Sequence, residues 1–301
     1  MSDRSPDRRP SPPVPRRWLI TGGCGFIGSA LIHRLTEAGG CSVRVLDDLS
    51  RGSLDQLPGG VERTVEPAQV DDTWSAEIEV AVAGVEDRQA AARCAVGADV
   101  VVHLAANAGV VQSLEDPHRD LEVNVLGTLN VLEGARSARA GRVVLASSAA
   151  AVGSAEPPVR ETTLPRPSTP YGAGKLAGEA YASAYFQGFG LETVALRFGN
   201  VYGPHSGAKD SVVARFIKQW MDGETWQVFG DGGQSRDFIF IQDLLDAVLL
   251  AATVPDIGGR IFQIANSRET TINELAEALA SAITGMGMTG PQVEHGPERL
   301  G

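Results

Sequence analysis

The chain has little cysteine: Cys24, Cys41 and Cys94 are its three in 301 residues. They are widely spaced and odd in number, with no C-x-x-C pair. Neither a disulfide framework nor a structural zinc site fits, and a reduced, cytoplasmic setting is expected. Long apolar runs are missing as well. Nothing approaches the roughly 18 consecutive apolar residues of a membrane helix. With 43% hydrophobic and 21% charged residues, the composition is that of a soluble globular protein. Positive charge is scarce: 26 Lys and Arg against 37 Asp and Glu leave a net charge of -11. That balance argues against nucleic acid or an anionic membrane as a partner, so an anionic ligand must be met by local Arg, Lys or helix N-termini. The histidines show no metal-ligand spacing, and no segment repeats at a fixed period.

The opening "MSDRSPDRRPSPPVPRR" has no apolar core and resembles neither a secretory signal nor a foldable segment, so residues 1–17 are expected to form a disordered tail. From Trp18 onward, short apolar runs alternate with longer amphipathic ones: "RWLIT", "FIGSALIHRLTEAGG", "SVRVLD", then "ADVVVHLAA", "LEVNVLGTLNVLEGARSA" and "RVVLASS". This alternation predicts parallel strands joined by helical crossovers. Such strands are buried on both faces, which explains Val100, Val101 and Val102 in succession. A helix from about Tyr171, strands at "LETVALRF" and "DFIFI", and a helix through "DLLDAVLLAA" continue the pattern. Residues 53–98 carry no clear period and are read as a loop, one short strand and a helix before Asp99. After Tyr202, Gly, Pro and aromatics become more frequent, which is where a smaller lobe could split from the sheet.

"LITGGCGFIGSAL" contains Gly22, Gly23, Gly25 and Gly28. Glycines at this spacing let a strand turn sharply into a helix while backbone N–H groups approach a pyrophosphate. Asp47 ends the next strand, where a carboxylate accepts the adenosine ribose hydroxyls and repels a 2′-phosphate, favouring NAD over NADP. Asp48 competes for that role, and Arg51 leaves an opening for NADP. Cys24, inside the loop, reads as a small filler rather than a nucleophile. His103 ends a buried strand and reads as a hydrogen-bonded structural residue rather than a base.

"STPYGAGKLAGEAYASAY" sets Tyr171 and Lys175 four apart at the start of a helix, on one face about a turn apart. A phenol is a poor base at neutral pH, but a nearby ammonium and a cationic nicotinamide ring both favour the phenolate. Alone, Y-x-x-x-K is common by chance.

Taken in order, "TGGCGFIG", "VLDDLS", "ADVVVHLAA", "NVLGTLNVLEGA", "SSAAAVG", "PYGAGK", "LRFGNVYGP", "GDGGQSRDFIFIQDL" and "ERLG" resemble the extended short-chain dehydrogenase/reductases, in their nucleotide-sugar epimerase/dehydratase group. The resemblance implies a Rossmann-type α/β fold: a doubly wound, mostly parallel, seven-stranded sheet spanning residues 18–200 and completed by about 237–265. Residues 201–236 and 266–301 would form a small substrate-binding lobe. It implies that Gly22, Gly25, Phe26, Ile27 and Gly28 hold the pyrophosphate and Asp47 or Asp48 the ribose. Leu104, Ala105 and Ala106 would line the middle of NAD, and Asn124 would serve the loop facing it. Tyr171 would be the base, Lys175 would bind the nicotinamide ribose and lower the Tyr171 pKa, and Ser148 would donate to the sugar oxygen. Asn200, Arg236 and Arg299 would meet the nucleotide diphosphate. For Arg236 the residues agree, since a dianion needs charge-assisted partners, although an ion pair with Asp237 or Asp231 is the alternative.

Departures sharpen the reading. Gly84 stands where the group usually has an adenine-binding Asp, leaving Val85 to pack on the base. The usual "VYG" after the serine becomes Ala151, Val152, Gly153, without the aromatic. Relatives that eliminate water or decarboxylate usually carry acids in the two positions after the serine, where this chain has Ala149 and Ala150. The resemblance thus implies C4 epimerisation of a nucleotide-diphosphate sugar, a UDP-hexose first, through a transient 4-keto sugar. A 4,6-dehydratase or decarboxylase, a 4-ketoreductase and a non-catalytic NAD-binding regulator are the alternatives. Relatives commonly dimerise through two long helices. Here Leu126, Leu129, Leu176 and Tyr181 lie on them and fit core or interface alike. The chain also stops at "ERLG", earlier than relatives usually do, so a shortened lobe is expected.

Overall fold

The computed structural model describes residues 15–59, 63–74, 76–208 and 211–298. Strand β1 (Arg17–Thr21) begins one residue before Trp18, because Asp99 accepts from the Arg16 and Arg17 amides and pairs with the Arg17 guanidinium at 2.6 Å. Helix α1 (Phe26–Ala38) follows, then β2 (Ser42–Asp47), β3 (Arg63–Val65), β4 (Ile78–Val82), helix α2 (Arg88–Ala95) and β5 (Val100–His103). Two short helices, α3 (Val110–Glu115) and α4 (Pro117–Leu121), lead through a wide π-type turn at Glu122–Gly127 into α5 (Thr128–Ser137). Then come β6 (Arg142–Ser148), the long α6 (Pro170–Phe189) and β7 (Thr193–Phe198).

These strands, with β12 (Arg260–Ile264), form one sheet in the order β12-β7-β6-β5-β1-β2-β4-β3, and every pairing is parallel. Eight strands stand where seven were expected. The extra one is the three-residue edge strand β3, within the stretch read as holding one short strand. The order reverses between β5 and β1, which opens a crevice at their C-terminal ends. Side chains alternate in the way parallel strands require. Ile20, Val45, Val102 and Leu196 enter a core that also takes Leu31 and Leu35 of α1, whereas Leu19, Leu46, Val101 and Val143 pack with Ala91 of α2 and Leu132 of α5.

Arg44 fixes the region without a period. Buried on β2, it pairs with Glu79 at 2.7 Å and donates to the carbonyls of Asp71 and Thr73 at 3.0 Å each. Its guanidinium also lies 4.2 Å from the Trp74 ring centroid, so one cation ties the loop before β4 to the sheet.

Beyond β7, β8 (Asn200–Tyr202) is followed by α7 (Val212–Met221), β9 (Trp226–Phe229), β10 (Ser235–Arg236), β11 (Phe238–Phe240) and α8 (Ile241–Thr253). The chain then runs through β12 (Arg260–Ile264), β13 (Thr270–Thr271), α9 (Ile272–Gly285) and β14 (Val293–Gly296). Phe216, Trp226, Val228, Ile272, Ala276 and Ile283 make a separate apolar cluster here, with Phe216 and Trp226 stacked at 4.8 Å. Among the described residues, no helix is long and apolar enough to cross a membrane.

Candidate active site

The glycine loop is shaped by contacts that exclude a side chain. Gly22 has φ +69°, and a Cβ on it would fall 2.6 Å from Ala105 N; one on Gly28 would fall 2.3 Å from Gly22 O. Gly25 caps α1 without a side-chain hydrogen bond, and the first turn of α1 holds no acid. The positive helix end is therefore left for an anion, with Phe26 and Ile27 partly exposed beside it. Asp47 Oδ2 accepts from Cys24 N at 2.9 Å and Oδ1 from Leu49 N at 2.8 Å. Burial pushes its carboxyl above the usual range against those two bonds, which fix it at the crevice edge with lone pairs left for a ribose. Asp48 instead binds Ser50 and lies 3.8 Å from Arg119. The Cys24 thiol is pushed up to about 12 by burial and then by Asp47, in keeping with a filler.

Across the crevice, Leu104, Ala105 and Ala106 follow β5, with Leu104 N on Thr21 O at 3.1 Å and Ala105 N on Thr21 Oγ1 at 3.2 Å. Asn124 holds their loop from behind: its Oδ1 accepts from Asn107 N at 3.0 Å and its Nδ2 donates to Asn107 O at 3.2 Å. His103 is clamped between two hydroxyls, Thr21 Oγ1 at 2.7 Å from Nδ1 and Thr128 Oγ1 at 3.0 Å from Nε2. Thr128 donates its proton to Asn124 O, so Nε2 carries the ring hydrogen and Nδ1 accepts. Burial, then the charge of Lys175, pushes His103 down to about 3; it is a neutral structural group.

Ser148 ends β6, and its Oγ accepts from Ala150 N at 3.2 Å and lies near enough to the Tyr171 phenol to pull its pKa down. Thr169 caps α6 through Gly172 N at 3.1 Å, with Pro170 in the first turn, and this fixes Tyr171 at the helix start. Lys175 Nζ donates to Ala146 O at 3.0 Å and lies 5.8 Å from the Tyr171 ring centroid. Burial pulls the Lys175 ammonium down to about 8, while Asp120 opposes the shift. The expected lowering of the Tyr171 pKa by Lys175 does not appear. Burial pushes the phenol up, Ser148 pulls it back and Asp120 adds to the rise. Desolvation is the largest influence on the phenol, and Lys175 is not among the groups that shift it.

Asn200 N donates to the carbonyl of Asp237, the residue after Arg236, at 2.8 Å. Arg236 is exposed. The carboxylates considered as its partners serve backbone amides instead, Asp237 that of Asn266 at 2.7 Å and Asp231 that of Gly233 at 2.8 Å. Arg299 lies outside the described residues. Val85, expected to pack on the base, is 2% exposed, and a Cβ on Gly127 would fall 2.5 Å from its Cγ2, so its side chain belongs to the core. Ala151 and Val152 are likewise buried.

Two groups went unread in the sequence. Asp120 is 1% exposed and accepts from Asn124 Nδ2 at 2.8 Å, on a face it shares with Asn124 and Thr128 at i, i+4, i+8; that spacing was its signal. Glu179 on α6 takes Arg197 in a two-pronged pair at 2.8 Å per bond and Ser147 Oγ at 2.5 Å, all buried, which locks α6 to β6 and β7 beneath Tyr171.

A crevice at the sheet's reversal, an uncapped helix N-terminus, loops that exclude side chains and a carboxylate at the ribose position together fit a dinucleotide. The comparisons agree. Residues 18–265 match the family described as NAD dependent epimerase/dehydratase. The chain is 36% identical to UDP-glucose 4-epimerase of Mycolicibacterium smegmatis over 95% of its length and 87% of that protein. It is 30% identical to dTDP-glucose 4,6-dehydratase of Streptomyces niveus, over 95% of this chain and 82% of that one. Among solved structures, UDP-glucose 4-epimerase of Thermus thermophilus in complex with NAD superposes with a TM-score of 0.78 at 32% identity, over 95% and 88% of the two chains. The chain is therefore an enzyme of the NAD-dependent epimerase/dehydratase family, and NAD is its cofactor.

Proposed function

We propose that the protein interconverts the C4 epimers of a UDP-hexose. The observation that carries this reading is the turn after Ser148. Ala149–Ala151 form a short 3-10 turn capped by Ser148 Oγ, and neither of the first two positions brings a carboxyl to the sugar. Bound NAD supplies a reversible hydride acceptor. The chain's own residues move the proton: Tyr171 Oη, as phenolate, takes it from the sugar 4-hydroxyl and later returns it to the same oxygen. Ser148 Oγ, within hydrogen-bond reach of Tyr171, donates to that oxygen while it is a carbonyl. With no acid at positions 149 and 150 to expel the 6-hydroxyl or to assist decarboxylation, reduction of the 4-keto sugar on either face is the simplest way on.

Asn200 and Arg236 are the diphosphate contacts in this reading, and the apolar cluster around Trp226 supports the lobe that carries Arg236. Leu121 at 51%, Leu126 at 46% and Tyr181 at 38% exposure lie on the helices expected to pair, which supports a homodimer. Free cysteines, two of them buried, are consistent with the cytoplasm.

The test is incubation of the purified protein with UDP-glucose, UDP-N-acetylglucosamine and UDP-glucuronate in turn, followed by proton NMR. An equilibrium mixture of two C4 epimers from at least one of them is expected. Failure on all three, with NAD bound, would favour a regulatory protein.

A further inference from the structure

Strand β4 ends beside Asp47: Val82 pairs with Asp47, and Ala83 N donates to Asp47 O at 3.1 Å. A base attached to the ribose that Asp47 holds therefore reaches the turn at residues 84–87. Glycine at 84 contributes no side chain, yet its space is filled. A Cβ on Gly84 would fall 2.2 Å from Glu86 Oε2 and 2.5 Å from Glu86 Cδ. The Glu86 carboxylate has folded back over its own turn into the volume that a side chain at position 84 would occupy.

Several bonds hold it there. Asp87 N closes the turn on Gly84 O at 3.2 Å, and Asn130 Nδ2 donates to Val85 O at 3.1 Å and to Glu86 O at 3.0 Å. Arg119 Nη1 takes Glu86 Oε1 at 2.6 Å, and its Nη2 lies 3.8 Å from Asp48, so one guanidinium spans the ends of β2 and β4. Arg119 engages Oε1, whereas Oε2 is the oxygen nearest Gly84.

Adenine presents a 6-amino donor, and a carboxylate at this strand end is its natural acceptor. We propose that Glu86 accepts the adenine 6-amino group of NAD, supplying from two residues downstream the side chain that Gly84 lacks, with Arg119 as its positioning residue. The proposal rests on NAD occupying the crevice and is independent of which sugar is turned over.

The experiment strips the dinucleotide and titrates the protein by calorimetry with NAD and with nicotinamide hypoxanthine dinucleotide, which carries a 6-oxo group in place of the amine. The wild type is expected to prefer NAD by about tenfold or more. Glu86→Ala is expected to lose that preference, and Gly84→Asp in the Glu86→Ala background to regain it. Because both ligands are read on one preparation, a partly unfolded variant does not distort the ratio. Equal affinities in the wild type, or an unchanged preference in Glu86→Ala, would overturn the proposal. A wild type that binds neither dinucleotide would overturn the cofactor placement beneath it.

Discussion

Asn124 Nδ2 donates to Asp120 Oδ1 at 2.8 Å, so the residue that steadies the cofactor loop is itself oriented by a buried carboxylate whose charge reaches Lys175. Burial pushes the Asp120 carboxyl above its usual value, against the pull of Asn124 and Lys175. In return, Asp120 keeps the Lys175 ammonium from falling further than about 8. Asp120 acts on the reaction through Lys175, without touching the sugar in this account.

Asp120→Asn keeps the acceptor for Asn124 and removes the charge. Lys175 then loses its proton at a lower pH, and the alkaline limb of kcat/KM is expected to move down the pH scale. A carboxyl whose pKa is raised by folding costs stability once ionised, so Tm at neutral pH is expected to hold or rise. An unchanged alkaline limb would remove Asp120 from this role.

Tyr171→Phe is expected to lower kcat by about 100-fold or more while NAD stays bound. Ser148→Ala, which deletes one donor to the developing oxygen charge, is expected to cost about 100-fold. The fold pushes the Tyr171 phenol upward, so the pull toward phenolate falls to the cationic nicotinamide. Ultraviolet titration should find phenolate at lower pH with the oxidised than with the reduced dinucleotide. Coincident curves would contradict this.

Arg236→Ala is expected to raise KM by roughly 10- to 100-fold, the value of a hydrogen bond to a charged group, with kcat little changed. The nearby carboxylates already serve backbone amides, so little repacking is expected. A fall in kcat at constant KM would move Arg236 out of substrate binding.

Glu179→Ala leaves Arg197 buried and unpaired, at a cost of about 3–5 kcal/mol. A large drop in Tm is expected, read by calorimetric melting. A variant as stable as the wild type would show that the Ser147, Glu179 and Arg197 network contributes little to holding α6.

The parallel sheet was legible because its strands are buried on both faces, and "VVVH" or "RVVLASS" leaves no polar face to confuse the reading. The glycine loop was legible because its backbone leaves no room for side chains, while the roles of Asp47, Ser148, Tyr171 and Lys175 follow from chemistry and resemblance and are what the proposed tests address. In residues 53–98 a strand and the helix before Asp99 were read, but β3 was not: it is too short to show a period, and the loop before β4 is held by Arg44, a buried cation on another strand. The spacing of Asp120, Asn124 and Thr128 puts them on one helix face, but that the face is buried depends on α4 meeting α6, which spacing alone does not show. The pKa of Tyr171 was misjudged for a related reason: spacing gives the neighbours of a group but not its desolvation.

The most direct test of the epimerisation reading follows one label. UDP-galactose carrying deuterium at C4 is incubated with the protein in ordinary water, and the product is examined by NMR and mass spectrometry. The account predicts UDP-glucose with the deuterium retained at C4, since the same hydride returns to the carbon it left. A 4-keto-6-deoxy sugar with the deuterium moved to C6 would show that water is eliminated without acids at positions 149 and 150, contradicting the account.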